Sequence, residues 1–183
     1  MKCNITIVAA SGLSLMWLAG CASAPSVAVS KPVGPEPASQ AKASDQGYLE
    51  VYSARLKENV LPDFMQWEWD YPLDRNAFTY ALGHTDYIIR TEDGHTFRYI
   101  RNAANPADPK PALVSLPPGR YKVQAEGEEA DGKTVTVLLP VLVEPGRTTV
   151  AHLSGHWAPE AHFTDADVVR LPDGQIAGWL ARQ

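Results

Sequence analysis

The sequence predicts an all-β protein whose globular part is one antiparallel β-sandwich, and three observations carry this prediction. Beyond residue 46 the apolar residues occur in short runs, several of which alternate with polar residues as the two faces of a strand do. Clusters of glycine, proline and aspartate separate these runs, as turns separate strands. No long stretch repeats its apolar residues with the period of a helix. About seven short strands with such turns indicate a sandwich.

The N-terminal residues have the composition of an export signal rather than that of a folded element. Lys2 provides a positive charge, and an apolar run follows from Ile5 to Leu18. This run is shorter than the roughly 20 apolar residues that a transmembrane helix needs. We therefore expect an N-terminal signal peptide.

The apolar run ends in Leu18-Ala19-Gly20-Cys21, which resembles the lipobox of bacterial lipoproteins. The resemblance implies a signal peptide over residues 1–20, a diacylglyceryl group on the Cys21 sulfur, and cleavage before this cysteine. It also implies acylation of the new amino group, and two or three acyl chains suffice for stable anchoring. Because Ala22 stands where an aspartate would favour inner-membrane retention, the resemblance implies an outer-membrane anchor facing the periplasm. The alternative is an ordinary signal peptide with a chance cysteine.

Composition agrees with export and excludes several function classes. The chain has two cysteines, Cys3 in the signal and Cys21 at the predicted lipid site, so the mature domain has no thiol for a disulfide or a metal. The formal net charge is −5 and no basic cluster occurs, which argues against nucleic acid binding. We expect no cofactor.

Residues 21–46 are predicted to form a linker outside the domain. They are rich in alanine, serine and valine, have prolines at positions 25, 32, 35 and 37, and show neither a helix nor a strand period. Such a segment acts as a semi-rigid spacer with an upper reach of roughly 75 Å. The prediction is a disordered tether that holds the domain away from the membrane.

The predicted sandwich domain occupies residues 47–155. Residues 48–52 alternate as in a strand, and Asp93-Gly94 between two β-rich runs predicts a hairpin, because glycine readily adopts positive φ. The almost continuous apolar stretch from Thr134 to Val143 predicts a central strand, in which Pro140 indicates a bulge or break. Further strands are predicted at 112–116, 121–126 and 147–153.

Two stretches of this domain carry a second resemblance. Residues 116–125 read as a proline-glycine turn, an aromatic residue and an alternating strand, and residues 141–150 end in Gly-Arg-Thr-Thr-Val. Together they resemble the carboxypeptidase regulatory-like and PEGA-type β-sandwiches, so the predicted sandwich is of the transthyretin or immunoglobulin-like kind. The resemblance implies a non-catalytic accessory or adhesion-like module, which is an inference from fold alone.

Residues 156–183 are predicted to form a C-terminal hairpin extension. Pro172-Asp173-Gly174 has the composition of its turn. The hairpin is expected to add an edge pair to the sandwich or to pack across it through Trp179. A partner-binding strand pair is the functional alternative.

Three histidines near the end of the domain are the first candidates for chemistry. His-x3-His spacing brings two imidazoles together on a helix, as in zinc sites, but separates them by about 13 Å in a strand. Because the first histidine ends a predicted strand, we expect solvated histidines, and a metal-dependent hydrolase is the less favoured alternative. The residues are His152, His156 and His162, with Glu160, Asp165 and Asp167 nearby.

A row of aromatic residues is the second candidate. Met65, Trp67, Trp69 and Tyr71 stand at every second position and line one face if they form a strand. Such a row is favoured as core, because a domain without disulfides needs large buried side chains. Exposed, Trp67, Trp69 and Tyr71 would form a glycan-binding platform or anchor a protein partner.

No catalytic grouping emerges from the sequence. Gly-x-Ser-x-Gly and Gly-rich phosphate loops are absent, and Ser115 and Ser154 have no recognisable base partner. We therefore predict a non-enzymatic lipoprotein of the bacterial cell envelope, anchored through lipid, which presents a sandwich surface to an envelope protein or a glycan.

Overall fold

A computed structural model describes residues 26–37, 41, 43–59, 79–102, 110–155 and 157–182. Within these ranges the chain forms thirteen β-strands and no helix, which confirms the all-β prediction. The strands are β1 (Ser26–Ala28), β2 (Val33–Gly34), β3 (Gly47–Tyr52), β4 (Arg55–Asn59), β5 (Thr79–His84), β6 (Tyr87–Thr91), β7 (Thr96–Ile100), β8 (Val114–Leu116), β9 (Gly119–Glu128), β10 (Thr134–Val143), β11 (Thr148–His152), β12 (Val168–Arg170) and β13 (Ile176–Leu180).

Two sheets pack together as the predicted sandwich. Sheet A has eight strands in the order β12-β13-β2-β10-β9-β6-β7, with β1 also beside β10. Sheet B has three strands in the order β11-β3-β8, and β4 and β5 form a separate two-stranded sheet. The antiparallel part of the prediction needs correction, because β1 and β2 run parallel to β10, and β11 runs parallel to β3. In each case the partner strand comes from a distant part of the chain rather than across a tight turn.

The centre of sheet A is the long pairing of β9 with β10. Ten consecutive residue pairs extend from Gly119 opposite Val143 to Glu128 opposite Thr134. The predicted bulge at Pro140 does not occur, since the register continues unbroken through this residue. The Leu138 carbonyl accepts a hydrogen bond from the Val29 N–H of the N-terminal segment, so the backbone groups of Leu138 point away from β9. Backbone groups of every second residue in a strand point the same way, so those of Pro140 also point away from β9. Pro140 therefore removes no hydrogen bond between β9 and β10.

The core lies between the two sheets and follows from alternation along the strands. In β10 every second residue from Val135 onward is buried, and β9 and β3 show the same pattern. The core is mainly aliphatic, and its fully buried side chains include Leu49, Val51, Ile89, Leu116, Val123, Val137, Leu139, Val141 and Leu153.

The segment predicted as a linker contributes two strands to sheet A. β1 pairs with the first half of β10, and β2 lies between β10 and β13. Val33 is completely buried, and Pro35 forms a bridge with Thr149. The predicted linker over residues 21–46 is thus corrected for residues 26–35, where the valines cover apolar surface of β10 that would otherwise face water.

The predicted C-terminal hairpin consists of β12 and β13, whose turn contains Gly174 at a φ of 91°. Through β13 the hairpin joins β2 and so forms one edge of sheet A. A Cβ atom on Gly178 would lie 2.7 Å from a methyl group of Val33, so glycine permits this close approach. The N-terminal and C-terminal segments therefore pack directly against each other.

A buried polar cluster ties the end of β3 to the end of β7. The Asn102 side-chain amide donates to the Val51 carbonyl at 2.8 Å and to the Ser53 hydroxyl at 3.0 Å. The Ser53 hydroxyl donates to the Thr85 carbonyl at 2.7 Å, and the Asn102 side-chain oxygen accepts the Ala112 N–H. Beyond the ends of the strands, buried backbone N–H and C=O groups have no partner in a sheet. The side chains of Asn102 and Ser53 supply the hydrogen bonds that these groups need.

The position of Val33 yields a test of whether the N-terminal segment belongs to the fold. Val33→Ala removes two methyl groups from a completely buried site, so we expect the free energy of unfolding to fall by about 2 kcal/mol. Ser30→Ala, at an exposed position of the same segment, is the matched control and leaves stability unchanged. Urea unfolding of the two variants measures both effects, and equal stability of Val33→Ala and wild type would contradict the assignment.

Candidate functional site

The outer face of sheet B carries a row of polar and aromatic side chains. In β3 the inward residues are buried, so Tyr48, Glu50 and Tyr52 point outward, and β11 alternates in the same way. Parallel pairing sets Tyr52 beside His152. Two side chains that are a hundred residues apart in sequence thus become neighbours on one surface.

Three rings stack at the end of this row. The ring centroids of Tyr52 and His152 lie 4.7 Å apart with an interplanar angle of 14°. On its other face His152 stacks on Trp157, at 4.1 Å and 7°. Gly155, with a φ of 76°, turns the chain after β11, and the Trp157 N–H donates to its carbonyl. We call Tyr52, His152 and Trp157 the aromatic stack.

Behind the stack lies a second apolar cluster, which fixes the position of Trp157. Its buried members are Val168, Ile176 and Trp179, and Trp157 packs against them with Phe163. The C-terminal hairpin therefore forms one wall of the site. This gives the hairpin a role in shaping the site as well as in closing sheet A.

Beside the stack is an open cleft of about 320 Å³. Its aromatic lining consists of the aromatic stack and Trp179. Its charged lining residues are glutamates, and among the described residues that line it there is no lysine or arginine. Glu50 is half-buried, whereas Glu36 and Glu160 are exposed. Aromatic walls with a few placed polar groups are typical of ligand sites.

Burial shifts the proton affinities of the groups in the cleft. Burial between two rings, and secondarily the neighbouring His84, lower the pKa of His152 to about 4. The imidazole is therefore uncharged at neutral pH. Burial raises the pKa of Glu50, and the positive charge of Lys110 limits this rise. The pKa of Tyr52 is also raised, by burial and then by Glu50.

His84 supports the stack from below. It is almost completely buried, and its ring meets the Tyr52 ring edge-on with centroids 5.3 Å apart. Its Nδ1 lies 2.7 Å from the Ser53 carbonyl, which can only accept, so Nδ1 carries the proton and donates. Nε2 has no hydrogen-bond partner among the described residues. His84 therefore holds Tyr52 in place by packing.

The structure describes only some of the site residues that the sequence predicts. Cys21 and the row of Met65, Trp67, Trp69 and Tyr71 lie outside the described residues, as does His156. His162 is exposed. Asp165 accepts a hydrogen bond from Arg170, and Asp167 accepts hydrogen bonds from Thr164 and Arg182. Among the described residues no three histidine, cysteine, aspartate or glutamate side chains are placed to hold a metal ion.

Sequence reasoning gave His152 the wrong surroundings and missed the site around it. His152 was expected to be solvated, but it is half-buried between two rings. Tyr52, Trp157 and Glu50 were not candidates at all. Their only sequence signal is the outward position of Tyr52 and Glu50 in an alternating strand, and this does not reveal which strand lies alongside.

Comparison with protein-family models, with curated proteins and with solved structures finds no match for this chain. The part of the chain that the structure describes has no helix long and apolar enough to cross a membrane.

The low pKa of His152 predicts a pH-dependent stability. In the unfolded chain this histidine binds a proton near pH 6.5, but in the folded protein only near its pKa of about 4. Because the unfolded state binds the proton first, stability is lost as the pH falls from about 6.5 towards 4. His152→Phe keeps a ring in the stack and is expected to reduce this loss by about 1–2 kcal/mol.

His95→Phe is the matched control, because His95 is exposed on the β6–β7 turn. Urea unfolding of wild type and both variants at pH 7 and pH 4.5 gives the comparison. If His152→Phe and His95→Phe lose equal stability on acidification, His152 is not the group responsible.

Proposed function

We propose that this protein is a non-enzymatic, lipid-anchored binding module of the bacterial cell envelope, and that its ligand site is the cleft beside the aromatic stack. The observation that carries the proposal is the stacking of Tyr52, His152 and Trp157 on the outer face of sheet B. The sandwich core is built without these three residues. Aromatic rings gathered at a surface cleft are typical of ligand and partner sites.

The low pKa of His152 argues against a general-acid role for this residue. A general acid or base works best when its pKa lies near the operating pH. His152, with a pKa of about 4, is not an imidazolium at neutral pH, and rings cover both of its faces. Its arrangement suits a rigid wall of a binding site.

Membrane anchoring is supported by the lipobox resemblance at Leu18-Ala19-Gly20-Cys21. The first strand begins at Ser26, five residues after Cys21, so the extended chain between them reaches at most about 17 Å. A lipid on Cys21 would then hold the sandwich against the membrane surface rather than away from it. We propose the outer membrane, with the domain facing the periplasm.

The aromatic stack, at one side of the cleft, lies at the end of the sandwich that this anchor would bring close to the membrane. β1 enters parallel to β10 near its start, where Ser26 pairs with Thr136. The end of β9 lies at the same place, and the Glu128 N–H there donates to the Leu153 carbonyl. Leu153 directly follows His152, so the stack and the proposed anchor share one end. The ligand would therefore be bound close to the bilayer.

Mass spectrometry of the membrane-extracted protein tests the anchor. We expect the mature N-terminal peptide to begin at Cys21 and to carry the added mass of acyl chains. Cys21→Ser is expected to abolish both the modification and cleavage at this site, and Ser23→Ala is the control that leaves both intact. An unmodified wild-type chain released into the medium would overturn the anchor but leave the cleft untouched.

Binding to the cleft is tested with two defined probes, chitotriose as a neutral glycan and choline as an organic cation. We expect at least one of them to shift the NMR signals of the tryptophan indole N–H groups. Trp157→Ala is expected to weaken this binding by about tenfold or more, since stacking contributes on the order of 1–2 kcal/mol. Tyr99→Ala, an exposed aromatic residue on β7, is the control. Absence of any response to both probes would contradict a ligand site here.

A further inference from the structure

Three basic side chains lie together on the outer face of sheet A. In β9 the residues Tyr121 and Val123 are buried, so Arg120 and Lys122 point outward. The antiparallel pairing of β6 with β9 sets Arg90 directly opposite Lys122, on the same face. Like charges directly opposite each other in a sheet are destabilising, and a bound anion would relieve their repulsion. We call Arg90, Arg120 and Lys122 the basic cluster.

Among the described residues, no carboxylate forms an ion pair with the basic cluster. Arg90 donates from Nε to the Gln124 side-chain oxygen at 2.8 Å and from Nη1 to the Gly94 carbonyl at 3.2 Å. Lys122 donates from Nζ to the Glu92 backbone carbonyl at 2.6 Å. Uncharged acceptors thus orient two of the three cations and leave their charge uncompensated.

Apolar side chains of β10 lie beside the basic cluster. The outward residues Leu138, Pro140 and Leu142 are half-buried and do not belong to the core. Pro140 lies directly opposite Lys122, and Leu142 lies opposite Arg120. A surface that combines apolar side chains with cations suits the boundary between lipid headgroups and acyl chains, where both contribute to binding.

The proposed anchor would bring a bilayer to this same face. Ser26 follows Cys21 by five residues, which reach at most about 17 Å, and it pairs with Thr136 on β10. From Thr136 to Pro140 the strand extends by roughly 13 Å. A lipid on Cys21 would therefore enter the membrane near one end of the face, with the basic cluster within reach of the same surface.

The acidic residues of this region are separated from the cluster or lie outside the strands. Glu126 is four positions from Lys122 in β9, roughly 13 Å away, and Glu128 is farther. This distance exceeds the Debye length of about 8 Å at physiological ionic strength. Glu92 and Asp93 lie in the β6–β7 turn rather than in the strands of the face. The basic cluster is thus a local positive region on a chain whose net charge is −5.

We infer that the outer face of sheet A docks on an anionic bilayer surface, where the basic cluster binds lipid phosphate groups and the side chains of β10 contact the interface. This inference rests on the lipid anchor of the proposed function and adds the orientation of the domain. The cleft, on the outer face of sheet B, would open away from the membrane into the periplasm. A free phosphate ion offers the same charge without a bilayer, so it is the competing occupant.

Single cysteines can report which face meets the membrane. The sequence has cysteines only at positions 3 and 21, so the lipidated mature chain would offer no other free thiol. His95→Cys places a fluorescent label on the exposed turn beside Arg90, and Ser115→Cys places it on the outer face of sheet B. The protein purified from membranes is reconstituted in phosphatidylcholine vesicles with or without phosphatidylglycerol. A nitroxide on the lipid headgroups then quenches nearby labels.

With phosphatidylglycerol present, we expect quenching at position 95 to exceed that at position 115 at least about twofold, since the thickness of the sandwich separates the two faces. NaCl at about 1 M shortens the Debye length to about 3 Å and is expected to remove this difference. Equal quenching at both positions, or the same difference in vesicles of phosphatidylcholine alone, would overturn the docking.

Charge-removing variants identify the cations responsible. Each basic residue near an anionic surface contributes about fivefold to binding, so Arg90→Gln, Arg120→Gln and Lys122→Gln are each expected to lower the ratio of docked to undocked protein about fivefold. Lys110→Gln is the matched control, because it removes the same charge near Glu50 on sheet B. Docking that persists in all three variants would overturn the assignment of these residues.

Mass spectrometry of the same samples separates this inference from the proposed function. An acylated protein that inserts into vesicles but does not dock would overturn the orientation and leave the anchor standing. An unacylated protein that does not sediment with vesicles would overturn both. Loss of the quenching difference in inorganic phosphate, but not in NaCl of the same low ionic strength, would overturn the bilayer as the occupant in favour of a free anion.

Discussion

The structure depends on the ten-residue ladder between β9 and β10, because every other strand of sheet A is placed by pairing outward from it. β9 carries β6 on its free edge, and β6 carries β7. β10 cannot leave its own free edge open, since exposed strand edges pair with other chains. Two short N-terminal strands cover that edge, and the second of them carries the C-terminal hairpin through β13. Residues 26–34 are thus held directly by β10, and the C-terminal hairpin is held through β2.

The site is a consequence of how sheet B is assembled opposite this ladder. After β10 the chain turns at residues 144–147 and enters sheet B as β11, where its neighbour is β3. The parallel register aligns Tyr52 with His152, and a shift by one residue would turn one of the two rings into the core. Tyr52 and His152 are therefore fixed by the same alternation that buries Val51 and Ala151 directly before them. Trp157, in the loop after β11, completes the aromatic stack by packing on His152 and on the cluster around Trp179.

The features that sequence predicted well are those with local causes. The Asp93-Gly94 hairpin follows from the backbone freedom of glycine, and the strand from Thr134 to Val143 follows from a continuous apolar run. Residues 26–35 were misjudged because their apolar side chains are few and interrupted by proline, and only the free edge of a strand about a hundred residues away makes pairing favourable. The aromatic stack depends in the same way on the distant pairing of β3 with β11. Neither position contains a signal that indicates its partner.

The stack also determines the charge state of its central ring. Protonation of His152 would place a positive charge between the rings of Tyr52 and Trp157, where burial shields it from water. Burial, and secondarily the neighbouring His84, therefore lower the pKa of His152 to about 4, and the imidazole is uncharged at neutral pH. The packing that aligns the three rings is thus the same packing that keeps the histidine uncharged.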